Sequence, residues 1–175
     1  MIVSAFCELG QVEPIMPSAR VASELDLEPL LELFRVASAG PVIKPVKSAQ
    51  RVWRDLLRHD GVTVFVSAVD GRILAACTLL TAPSLLQGGR GNAFIENVVT
   101  HPDFKGDGHT RAVVRAAVAK AWRIGCHHVL LQSSEGDVRL SRFYERCGFR
   151  AGSGKTYVAR RRPSGRMLRL EYFRG

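Results

Sequence analysis

The stretch from Ala93 to Ser133 constrains the chain more than any other. It begins as the apolar run AFIENVV and passes through a turn containing Gly106 and Gly108. A helical pattern follows to about Ile124, and after Gly125 the apolar run HHVLLQS closes the stretch. Within the helical part, predicted from Gly108, the residues Val113, Val114, Ala117, Val118 and Ala121 form one apolar stripe. Arg111, Arg115, Lys120 and Arg123 lie mostly off it. Gly125 suits the left-handed residue that ends a helix. A strand, a helix and a strand in this order predict a right-handed crossover joining two parallel strands.

The chain before it reads as antiparallel. VTVFVSAV and RILAACTLL are separated only by Asp70-Gly71, a pair suited to the tight turn of a hairpin. Further upstream, Ser18 to Ser23 reads as a strand and Leu25 to Ala37 as a helix, with Asp26 near its start. A second helix is predicted from Ser48, as N-cap, to about Arg58. After the crossover, Asp137 to Cys147 reads as a shorter helix stopped by Gly148, with Phe149 starting the return. KTYVARR and RMLRLEYF are further strand candidates, joined by PSGR. The expected class is α/β or α+β, with helices covering a sheet that is antiparallel first and parallel at one crossover.

A length of 175 residues fits one domain spanning 1–175, with 1–16 as an N-terminal extension and 163–175 as an extra C-terminal strand. Such an edge strand suits pairing with a second copy, so a homodimer is one expectation. No apolar run approaches the roughly 20 residues of a membrane helix, and the N-terminus lacks the pattern of a secretory signal, so a cytoplasmic location is expected. Cys7, Cys77, Cys126 and Cys147 are scattered, without metal-ligand spacing or a disulfide framework. They read as small buried apolar residues, and no metal is expected. Lys and Arg exceed Asp and Glu by nine, which suits some polyanion without naming it.

The glycine turn is where an anion would sit. Backbone N–H groups at a helix start have no intrahelical partner, and the positive end of the helix dipole lies behind them. A glycine at position 108 lets a phosphate approach the backbone, and Lys105 and Arg111 add charge at the rim. The spacing KGDGHTR is neither a P-loop nor a dinucleotide-binding fingerprint.

VVTHPDFKGDGHTRAVV resembles motif A of the Gcn5-related N-acetyltransferases, which bind the pyrophosphate of acetyl-coenzyme A through Arg/Gln-x-x-Gly-x-Gly/Ala. Lys105 stands at the Arg/Gln position, Gly108 at the first glycine and Thr110 at the Gly/Ala position. Lys keeps the charge without the planar fork of Arg. Thr110 either crowds the phosphate or donates a hydroxyl hydrogen bond to it. SRFYERCGF, from Ser141 to Phe149, is similar to a later signature of the same family, and the likeness extends over about residues 18 to 161.

The resemblance implies a mostly antiparallel sheet of six to seven strands flanked by about four helices. It also implies acetyl-CoA as acyl donor, and a coenzyme site made of Lys105, Gly106, Asp107, Gly108, His109, Thr110 and Arg111. The Val98 and Val99 region would hold the thioester carbonyl, and Tyr144 would protonate the departing thiolate. Phe143 beside it is expected in the core. Glu96 is the candidate base, in a strand whose alternation sets Phe94, Glu96 and Val98 on one face and Ile95, Asn97 and Val99 on the other. Asp137 falls where relatives hold the coenzyme arm, or it caps a helix. His101, His109, His127 and His128 read as loop or surface residues. Arg160 to Arg162, with Arg166 and Arg169, read as a solvated basic face.

The expected activity is therefore acetyl transfer to a primary amine of a small molecule, and IENVV is faintly like relatives that acetylate amino sugars. Acylation of a protein or peptide amine is the alternative, as is a coenzyme-binding module without turnover. The chain lacks the aromatic and zinc signatures of nucleic-acid binders, so a nucleic-acid partner is not expected.

Overall fold

The computed structural model describes residues 17–41, 46–133 and 138–152. Its sheet has the order β1-β2-β3-β4-β5, with β1 at Arg20–Val21, β2 at Val62–Val69, β3 at Arg72–Ala82, β4 at Asn92–Thr100 and β5 at His128–Leu131. The first three pairings are antiparallel, and β4 with β5 is parallel. Asp70 and Gly71 both take positive φ, 49° and 76°, which is what a tight hairpin of this twist demands.

Among the described residues four helices flank the sheet: α1 at Leu27–Val36, α2 at Val46–Arg58, α3 at His109–Arg123 and α4 at Val138–Arg146. Alternation along β2 sends Phe65 to one face and Val64 and Val66 to the other. On the first face α3 buries Val113, Val114, Ala117 and Ala121 against Ala75, Leu79, Ala93 and Ile95. On the second face α1 and α2 place Leu30, Leu33 and Trp53 against Val64, Val66 and Ile73. Strands buried on both faces explain the unbroken apolar runs in β2 and β3. Each fully buried aliphatic side chain contributes about 1.5–3 kcal/mol to this packing.

Two expected element ends need correction. The first strand is only Arg20–Val21, because Asp26 folds back on it. The Asp26 carboxylate accepts from Arg20 Nη1 and Nη2 at 2.7 Å each, from the Ser23 backbone N–H at 2.7 Å and from Ser23 Oγ at 3.0 Å. Helix α2 begins at Val46, so Ser48 lies inside it rather than capping it. The described residues hold five strands. KTYVARR and RMLRLEYF, Asp137, residues 1–16 and the arginines from Arg160 to Arg169 lie outside the described residues.

Regular alternation also fails in β4. Thr78 pairs with Glu96 but Ala76 pairs with Val99, so two residues of β4, Asn97 and Val98, oppose Cys77 alone. Asn97 takes φ of 52°, the left-handed geometry that Asn tolerates better than most residues. This bulge exchanges the faces downstream. Val98 packs with Ile95 on the α3 side, while Val99 packs on the α1–α2 side. Glu96 and Val98 therefore do not share a face as strict alternation requires.

Candidate active site

Two strand interruptions coincide on β4. The ladder with β5 ends at Ile95 opposite Leu131, and the bulge against β3 follows at Asn97 and Val98. From that gap a cleft of about 760 Å³ runs along the α3 face toward the glycine turn. Val98 and Thr100 line its floor, Lys105, Gly106, Gly108, Thr110 and Arg111 one wall, and Arg139, Leu140, Phe143, Tyr144 and Arg146 the other.

Local sequence explains each wall. Gly108 precedes α3 at φ 97°, a conformation that an L side chain adopts only with strain. Its carbonyl accepts from Ala112 N at 2.9 Å, which starts the helix. The backbone N–H groups of the first turn are thereby directed out of the helix end, next to the Lys105 and Arg111 side chains. Thr100 Oγ1 and Thr110 Oγ1 hydrogen-bond across the cleft floor. On α4, positions 139, 143 and 146, with 140 and 144, follow helical spacing and so share the side that meets the cleft.

Tyr144 is half-buried, with Phe143 and Phe149 edge-on at 5.1 and 6.0 Å between ring centroids. Burial, reinforced by the nearby Cys147 and Cys77 thiols, pushes its phenol above the ordinary value of 10.0. It is thus a proton donor throughout the neutral range. Phe143 packs against the α3-side core, as expected.

Glu96 is exposed and lines a second cleft, of about 580 Å³, with Phe94, Ile95, Asn97, Leu130, Leu131, Gln132 and Ser133. The two clefts adjoin along β4, where one takes Val98 and the other Ile95 to Asn97.

The structure thus brings together Val98, Lys105, Gly106, Gly108, Thr110, Arg111 and Tyr144 from the expected set. Val99 turns to the other core, Asp107 is exposed outside the cleft lining, and His109 is buried. His101 is buried too, with Nε2 at 2.6 Å from Arg72 Nη2 and its ring edge-on to Phe104. His101 does lie in a loop, but the surface reading is overturned for both histidines, which are buried. Thr100, Arg139, Leu140 and Arg146 were missed, although Thr100 is two residues from Val98 on a strand, Leu140 four from Tyr144, and Arg139 and Arg146 four and three from Phe143 on a helix.

Cys77 donates its thiol to Val113 O at 3.4 Å, and burial pushes its pKa up to about 12, as befits a core residue. Among the described residues no group of His, Cys, Asp and Glu could hold a metal ion. No helix among them is long and apolar enough to cross a membrane.

The sequence profile of the Acetyltransferase (GNAT) family matches residues 27–149. The chain belongs to this family. It is therefore an N-acetyltransferase, and its family uses acetyl-CoA as donor. A glucosamine 6-phosphate N-acetyltransferase of Trypanosoma brucei brucei is 34% identical over 134 residues, covering 75% of this chain and 88% of that protein. Among solved structures, an Agrobacterium tumefaciens protein assigned to the acetyltransferases superposes with a TM-score of 0.74 at 37% identity, over 83% of this chain and 99% of that one. Glucosamine-6-phosphate N-acetyltransferase of Arabidopsis thaliana, at 21% identity, shares the fold with a TM-score of 0.71 over 82% of this chain and 97% of its own.

Proposed function

We propose that the chain acetylates the primary amine of a small molecule by direct attack on acetyl-CoA, with an amino sugar phosphate as the first acceptor class to test. One observation carries this reading: a single cleft joins a helix N-terminus flanked by Lys105 and Arg111 to a half-buried Tyr144, and reaches Val98, just past the end of the β4–β5 ladder. The Trypanosoma relative, by the acceptor in its name, supports the choice of acceptor.

In this reading the pyrophosphate lies on the backbone of Gly108 to Arg111, and the pantetheine arm follows β4 past the bulge. The unpaired backbone at Val98 would hold the thioester carbonyl as charge develops on its oxygen. The amine, entering from the cleft beside Glu96, attacks the carbonyl carbon as its proton passes to Glu96, directly or through water. A C–N bond forms and the C–S bond breaks. The thiolate takes the Tyr144 proton, and the phenol is reprotonated from solvent.

The test is release of coenzyme thiol from acetyl-CoA in the presence of glucosamine 6-phosphate, glucosamine and a lysine peptide in parallel. Preference for the first supports the proposal; turnover with the peptide alone replaces it with protein acylation.

A further inference from the structure

His109 is buried and does not line the cleft, yet it stands between two residues that do, Gly108 and Thr110. Its Nδ1 lies 2.9 Å from Ser67 Oγ, and that hydroxyl lies 2.5 Å from the carbonyl oxygen of Ser18. A carbonyl only accepts, so the single Ser67 proton goes to Ser18. The Ser67 oxygen must then accept the proton carried by His109 Nδ1. Every bond in this chain has a fixed direction.

The chain ties three separate segments: the first residue of α3, the middle of the sheet at β2, and the extended stretch before β1. Other contacts brace the same turn. The Phe104 ring meets His109 edge-on at 6.2 Å and His101 at 5.2 Å, so the stretch from His101 to His109 is held at both ends. Pro17 backs it, since a Cβ added to Gly108 would lie 3.4 Å from Pro17 Cγ.

We propose that His109 is a positioning residue for the coenzyme: through Ser67 and Ser18 it holds the first turn of α3 so that its backbone N–H groups stay aimed at the pyrophosphate. This rests on the acetyl-CoA reading of the cleft. Donors held in place before binding lose little freedom when the ligand arrives, and that is the source of the affinity. An apolar residue of similar size fills the space but leaves Ser67 short of a donor in a buried site. Asparagine restores it, because its amide nitrogen falls near the place of the imidazole Nδ1.

The effect is confined to ligands that carry the pyrophosphate, which separates positioning from general loosening of the fold. The experiment compares the full-length wild type with His109→Leu, His109→Asn and Ser67→Ala. It measures calorimetric acetyl-CoA affinity, and turnover of glucosamine 6-phosphate with either acetyl-CoA or S-acetylpantetheine, which lacks pyrophosphate. His109→Leu and Ser67→Ala should weaken acetyl-CoA binding and raise its KM about tenfold, with kcat at saturation within about twofold of wild type. KM for S-acetylpantetheine should not move, and His109→Asn should behave as wild type. Wild-type acetyl-CoA affinity in the Leu and Ala variants overturns the proposal, as does an equal loss with both donors. Should His109→Leu not fold, Ser67→Ala decides alone. A wild type that binds no acetyl-CoA removes the coenzyme reading itself, and the proposal with it.

Discussion

Thr100 Oγ1 and Thr110 Oγ1 lie 2.5 Å apart, joining the last residue of β4 to the first turn of α3 across the floor of the cleft. The Thr110 hydroxyl is thus engaged within the protein. Thr110→Ala should lower stability by about 1 kcal/mol, since Thr100 loses its partner in a partly buried site. Acetyl-CoA affinity should not fall. Thermal melting and calorimetry check the two halves, and a large loss of affinity would mean that the hydroxyl turns to the phosphate.

Much of this arrangement was legible in the sequence because it follows from period and punctuation. The Asp70-Gly71 hairpin, the α3 stripe and the strand–helix–strand order each rest on local rules, and each stands in the fold. The Gly108 turn and Tyr144 were found by motif, and they line one cleft. What could not be read came from contacts distant in sequence. Buried His109 meets Ser67, which bonds Ser18, and buried His101 meets Arg72, all partners far away in the chain. The bulge at Asn97 left no mark, because Asn is unremarkable within IENVV until its backbone is seen.

Gly108 tests the phosphate turn. Its φ of 97° is one that an L side chain adopts only with strain, whatever the space around it. Gly108→Val should therefore cost at least about 1 kcal/mol of stability and shift or fill the anion site. Acetyl-CoA binding should be lost by calorimetry while the circular dichroism spectrum of the folded protein persists. Retained affinity would sink the assignment of this turn.

Replacing Tyr144 by Phe removes a donor and little volume. We expect kcat to fall about 100-fold with acetyl-CoA affinity nearly unchanged. Because burial raises the phenol above its ordinary 10.0, it stays protonated as pH rises, so the wild-type rate should show no basic limb from this group below about pH 10. Unaltered turnover in the variant would remove Tyr144 from the reaction.

For Glu96 the prediction concerns pH. Glu96→Gln should lose rate chiefly near neutral pH, where the amine is protonated and needs a base, and recover as free amine accumulates at higher pH. A defect equal at all pH values would assign Glu96 to holding the acceptor instead.

Asp26 offers a stability test remote from the clefts. The Arg20 guanidinium, helped by the Ser23 backbone and hydroxyl against the cost of burial, lowers its pKa from 3.8 to about 2. A depressed carboxylate stabilises the fold above its unfolded pKa, and that contribution fades as pH falls from about 4 to about 2. Half-exposure of Arg20 limits it to about 1–2 kcal/mol. Asp26→Asn should therefore melt earlier than wild type at neutral pH, with the gap closing in acid. A gap independent of pH would show that packing, not charge, is what Asp26 supplies.

The extra residue in β4 bears on how this protein can change over time. Substitutions at Asn97 or Val98 alter one side chain, but deleting either would turn every later residue of the strand over. Thr100 would then leave its partner Thr110, and the approach to the glycine turn would be inverted. Selection should consequently tolerate many spellings of this short segment and almost no change in its length, so a relative missing one residue there would have to hold its acyl donor by other means.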